Sequence, residues 1–114
     1  MNVHGLPHCD TVKKARAWLG AQGIAYTFVD FRKAPPAPDA LARWCGALGW
    51  EQVLNRRGTT WRALDAAQQA AVVDAVTAIA VMQARPAVIR RPVVEHGTVL
   101  LVGFDAATWA RLLR

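Results

Sequence analysis

Cys9 stands after Gly5-Leu6-Pro7-His8 and before Asp10-Thr11-Val12-Lys13-Lys14-Ala15, where helical character begins. A cysteine at the mouth of a helix sits where backbone N–H groups have no internal partner and the helix dipole is positive. Such a field lowers a thiol pKa below the free value of about 8.5, and the thiolate is the nucleophile. The chemistry to expect from this segment is attack by sulfur. The chain holds one other cysteine, Cys45. Val12 occupies the position where a C-x-x-C motif would place a resolving thiol, so Cys9 has no local partner. Cys45 shares a helical face with Leu41, Trp44 and Leu48 and is expected to fill core space. Although His4, His8 and Cys9 cluster, no second Cys/His group completes a four-ligand set, and no metal is expected. His8 is expected in a turn facing solvent, His4 at the end of the first strand and His96 in a hairpin turn.

The chain must place this cysteine with 114 residues, enough for one domain with its own core. A hydrophobic fraction of 54% argues against disorder. Asp74 and Thr77 interrupt the longest apolar stretch, Ala70 to Met82, which suits a packed helix rather than a membrane span. The first residues lack a basic segment followed by an apolar one, so the cytoplasm is the expected compartment. There a structural disulfide is not expected. Fourteen basic residues against eight acidic ones give a net charge of +6 and favour an anionic partner. The basic residues come as separated pairs, Lys13-Lys14, Arg56-Arg57 and Arg90-Arg91, which fits a small-anion site better than a nucleic-acid arm. No helix-turn-helix or arginine-rich arm is present, so direct nucleic-acid binding is not expected.

The elements that would carry the site follow from periodicity and punctuation. Met1 to His4 reads as a short strand. Val12, Ala15, Trp18 and Leu19 predict a helix over Asp10 to Gln22, with Gly23 at its C′ position. Ile24 to Phe31 reads as a second strand. After a proline-rich connector, a second helix opens at Pro38-Asp39 and closes at Gly49. Short turns are expected at Trp50 to Leu54 and Trp61 to Leu64, around the polar loop 55–60. Asp65 is expected to cap a long helix from Ala66 to about Gln83. Ala87 to Ile89 reads as a short strand. Val93 to Glu95 and Thr98 to Val102 read as a hairpin turning at His96-Gly97, and Asp105 caps a last helix over Ala106 to Leu113. This order, β-α-β, then helices, then β-hairpin-α, predicts an α/β fold. It is that of a thioredoxin-like core with an all-helical insertion at about 38–84, in a single domain over 1–114.

Three segments resemble one family. Gly5 to Ala15 is similar to the nucleophile segment of the ArsC-like group, which includes glutaredoxin-dependent arsenate reductases, Spx regulators and YffB proteins. Leu54-Asn55-Arg56-Arg57-Gly58-Thr59-Thr60-Trp61 resembles its second motif, and Ile89-Arg90-Arg91-Pro92-Val93-Val94 its third. The first two segments are closest to the YffB branch. The resemblance implies a thiol reductase with Cys9 as catalytic nucleophile, and Thr11, Lys13, Arg56, Arg91 and Pro92 as substrate- and anion-binding residues. It further implies that Pro92 is cis and faces the cysteine. With no second thiol at hand, the resemblance points to glutathione, or another small thiol, as co-substrate. No bound cofactor is expected, and the protein is expected to act as a monomer away from membranes. Glutaredoxin is the alternative partner if the activity is arsenate reduction. Against that, Val102-Gly103-Phe104-Asp105 lacks the arginine that arsenate reductases carry after the hairpin. A third reading is an Spx-like regulator that binds RNA polymerase without chemistry. It lacks the C-x-x-C switch of redox-sensing members.

Overall fold

Alternation along the first strand sets the architecture: in Asn2–Gly5 (β1), Val3 is fully buried while Asn2 faces solvent. The computed structural model describes residues 1–114 and divides into two units, Met1–Ala34 with Arg91–Arg114, and Pro35–Arg90. In the first unit, β1 leads into helix α1 (Asp10–Ala21) and strand β2 (Thr27–Asp30), and the chain later returns as β3 (Val93–His96), β4 (Val99–Val102) and α7 (Ala106–Leu113). The four strands form one sheet in the order β2-β1-β3-β4. β1 runs parallel to β2 and antiparallel to β3, which pairs antiparallel with β4. This mixed sheet with its helices is the thioredoxin-like α/β arrangement that the element order predicts.

One face of the sheet carries the core. Val3 and its cross-strand partner Val94 pack with Ala15 and Leu19 of α1 and Trp109 and Leu113 of α7. The spacing of Val12, Ala15 and Leu19 puts all three on the buried side of α1. Phe104 and Trp109 meet edge to face at 4.9 Å, and Trp18 meets Trp109 at 6.0 Å. α1 ends as a Schellman motif: Gly23 has φ +67°, its N–H donates to Gly20 O, and Ile24 N–H donates to Leu19 O. The hairpin turns one residue later than expected. His96 is still paired with Val99, so Gly97-Thr98 form the loop. The positive φ falls on Gly97 alone, as a two-residue turn with glycine first requires.

The second unit is helical, with α2 (Pro38–Leu48), α3 (Trp50–Val53), α4 (Thr59–Arg62), α5 (Ala66–Ala70) and α6 (Ala75–Ala84). α2 packs on α3 and α6 through buried residues that include Leu41 and Trp44. The single long helix expected from Ala66 to Gln83 is two helices. Asp74, read as an interruption inside a helix, starts a new one: its carboxylate accepts from Thr77 N–H at 2.9 Å, and Thr77 Oγ1 accepts from Asp74 N–H at 3.1 Å. That reciprocal cap satisfies the N-terminal donors of α6 and is incompatible with a helix running through. The strand expected at Ala87 to Ile89 is a 3-10 turn at Pro86–Val88 followed by one antiparallel bridge, Leu54 to Ile89.

Candidate functional site

Cys9 is placed by a tight turn at the end of β1. Its N–H donates to Leu6 O at 3.1 Å, and its carbonyl accepts from Lys13 N–H at 2.9 Å. This makes Cys9 the N-cap residue of α1, with φ −74° and ψ 128°. Gly5 allows the helix to start there. A Cβ on Gly5 would lie 2.8 Å from Cγ2 of Val12, a residue with no exposed surface. Glycine is what lets the first turn of α1 lie against the end of β1.

The surroundings of the sulfur act in both directions. Partial burial pushes the Cys9 pKa up. The Val12 N–H, the Arg91 guanidinium through a hydrogen bond and its charge, and the Thr11 N–H pull it down and prevail, so the pKa lies below the ordinary thiol value. These donors are the orphan N–H groups of a helix start, and Arg91 adds the cation. Arg91 reaches Cys9 because β3 pairs with β1 in the register His4 to Val93, which brings the residues preceding Val93 alongside the loop that follows β1. The Arg91-Pro92 peptide is cis, and Pro92 O accepts from Gly103 N–H at 2.9 Å.

The first unit thus brings together Cys9, the backbone of Thr11 and Val12, and Arg91, with Pro92 next to Arg91 in the chain. Lys13 is exposed on α1, and the cation that acts on the sulfur is Arg91. His8 is exposed in the turn. Arg56 belongs to the second unit, where its guanidinium lies 5.5 Å from the Trp50 ring centre. Its loop is held by Asn55, whose side-chain oxygen accepts from Arg57 N–H at 3.1 Å. Arg90 is tied to that unit by a bond from Nε to Gln52 O at 2.8 Å. Cys45 is buried on α2, and burial pushes its pKa up. The sequence reading missed a contact of His4, whose Nε2 lies 2.7 Å from Glu95 Oε1 while its ring stacks on Phe31. Strand alternation carries that signal, but only once the register of β1 and β3 is known.

The first unit is a thioredoxin-like α/β core with a single cysteine at the start of its first helix, an arginine beside the sulfur and a cis-proline next to that arginine. The ArsC family model matches residues 4–112, and the chain belongs to that family. It is 45% identical to the solved YffB protein, with a TM-score of 0.94 over 99% of this chain and 98% of that one. An arsenate reductase (ArsC) related protein from Brucella melitensis is 41% identical, with a TM-score of 0.77 over 99% of this chain and 93% of its own. An uncharacterized protein of Haemophilus influenzae is 35% identical over 105 residues, 92% of this chain and 91% of that protein. The protein is therefore an arsenate-reductase-like family member close to the YffB type. No helix is long and apolar enough to cross a membrane.

Proposed function

We propose that the protein is a thiol-disulfide oxidoreductase in which Cys9 is the nucleophile and glutathione the external thiol. The observation that carries this reading is the lowered pKa of Cys9, held down by the α1 N–H groups and Arg91. The Cys9 thiolate attacks the glutathionyl sulfur of a mixed disulfide R–S–S–G. The substrate sulfur leaves as a thiolate and takes a proton from water, and Cys9 is left bonded to glutathione. A second glutathione thiolate attacks the glutathionyl sulfur, releasing oxidised glutathione and the Cys9 thiolate. One disulfide is consumed and one is made, with no second protein thiol required. This matches an active cysteine without a C-x-x-C partner.

Arsenate reduction is the second reading, and the guanidinium of Arg91 beside Cys9 favours it. It predicts arsenate-dependent turnover with glutaredoxin, whereas the thiol reading predicts none. Glutathione-driven reduction of the mixed disulfide of glutathione and 2-mercaptoethanol tests the proposal, and Cys9→Ser is expected to bring it to background. If the wild type shows no turnover and Cys9 is alkylated only as fast as a free thiol of ordinary pKa, the reading fails.

A further inference from the structure

The two parallel strands end side by side. Gly5 pairs with Asp30, and Phe31 N–H donates to Gly5 O at 2.9 Å. The turn after β2 therefore lies against the loop that carries Cys9. A cleft of about 500 Å³ opens here, lined by Pro7, Arg16, Phe28, Asp30, Arg32 and Lys33. It runs along the edge strand β2 to the turn that follows it, and its size is ordinary for a small-molecule site.

The charges in the cleft do not cancel. Asp30 is taken up by Arg32, whose backbone N–H, Nε and Nη2 donate to its carboxylate at 2.9, 3.3 and 3.0 Å. Arg16 and Lys33 are left in excess. Arg16 is held from two sides: its guanidinium carbon lies 4.1 Å from the Phe28 ring centre, and its Nε donates to the Tyr26 hydroxyl at 3.0 Å. That arrangement fixes the plane of the guanidinium and leaves the Nη edge for a ligand. A planar guanidinium edge fits a carboxylate. Arg16 follows Cys9 by two helical turns, on the same side of α1 and about 10 Å along its axis. Pro7 is only two residues from Cys9, a reach of roughly 7 Å. A cysteine-containing peptide with its carboxylate in the cleft can present its own sulfur to Cys9 across those distances.

We propose that this cleft is a carboxylate-binding subsite for the thiol co-substrate, with Arg16 as its fixed partner and Lys33 as the flexible one. The proposal rests on the reading of Cys9 as a glutathione-dependent nucleophile. It assigns selectivity for an anionic peptide thiol to the edge of β2, away from the sulfur. Two cations flanking an apolar wall exclude nothing by shape alone, so the discrimination is electrostatic. It sets carboxylate-bearing thiols against neutral ones.

Steady-state release of the peptide thiol from a glutathionylated peptide, driven either by glutathione or by carboxylate-free 2-mercaptoethanol, tests this in the wild type and in Arg16→Gln, Arg16→Lys and Lys33→Gln. The expected result is a rise of about tenfold in the KM for glutathione in Arg16→Gln relative to any rise for 2-mercaptoethanol, with kcat changed little. Arg16→Lys is expected to recover part of the loss, and Lys33→Gln to show a few-fold rise of the same selectivity. Because Arg16 also packs on Phe28, Lys33→Gln decides the matter if Arg16→Gln does not fold. Equal losses for both thiols mean a structural role and overturn the proposal. So does an unchanged glutathione KM in all variants of an enzyme that otherwise turns over. A wild type that turns over with 2-mercaptoethanol but not with glutathione overturns the glutathione reading itself, and this subsite with it.

Discussion

Two free thiols, Cys9 and Cys45, sit in opposite surroundings. Cys45 lies inside α2, on the face it shares with Leu41 and Trp44. Every backbone N–H there is spent within the helix, and burial alone acts on the sulfur, raising its pKa. Cys9 is also partly buried, but it stands one residue before a helix, where N–H groups are unspent, and Arg91 stands beside it. Burial by itself makes a thiol inert. Burial combined with a helix start and a cation leaves the thiol with a lowered pKa. The difference lies in position along a helix, which sequence can show, and in one arginine that arrives from the far end of the chain.

The largest test of the comparison removes each sulfur in turn. Cys9→Ser is expected to abolish disulfide turnover, and Cys45→Ser to leave it intact, as glutathione oxidation would show. Next comes Arg91→Gln, which removes the charged hydrogen bond and is expected to raise the Cys9 pKa and slow its alkylation at neutral pH by about tenfold. A stopped-flow or mass-spectrometric rate at fixed pH checks this, and an unchanged rate would leave the helix start as the sole cause. Gly5→Ala drives a methyl group against Val12 and is expected to cost about 1–3 kcal/mol, read as a lowered urea midpoint, while also slowing Cys9 alkylation. Cys45→Ser is expected to cost about 1 kcal/mol of stability, because a hydroxyl replaces sulfur on an apolar face, with no change in the Cys9 rate.

The smallest effect is the pH dependence of stability, and the two thiols give it opposite signs. The Cys9 pKa falls on folding, so its contribution is complete above the free-thiol value of about 8.5 and is lost as pH drops through the folded pKa. The Cys45 pKa rises on folding, so its contribution is present below the free-thiol value and is lost as pH climbs through the folded pKa. Urea midpoints of each serine variant, subtracted from the wild type across pH 7 to 10 under reductant, check this. The same sign for both would contradict the comparison.

What sequence could show divides along the same line. The helix start at Cys9, the C′ role of Gly23 and the apolar face around Cys45 are local features, written in neighbouring residues. The Asp74 cap was also local but was concealed: Thr77 fills the position where glutamate or glutamine normally signals a capping box, and the apolar run around it reads as one helix. Arg91 and Pro92 were legible only through the family motif, since no spacing rule ties residue 91 to residue 9. The His4–Glu95 pair and the close approach of Gly5 to Val12 depend on strand register and on how a helix seats against a strand. Neither leaves a pattern in a single chain. The cleft at Arg16 and Lys33 was hidden for the same reason: its cations come from a helix and a turn that meet only when β1 and β2 pair.

The place of Cys9 in the fold lowers its pKa below that of the unfolded chain. The most direct measurement is the pH profile of iodoacetamide alkylation at Cys9 and Cys45, resolved by peptide mass, in the folded protein and again in urea. The folded Cys9 profile is expected to rise at a pH below that of the unfolded chain, while folded Cys45 remains slow throughout. A Cys9 profile that coincides in the folded and unfolded protein would contradict it.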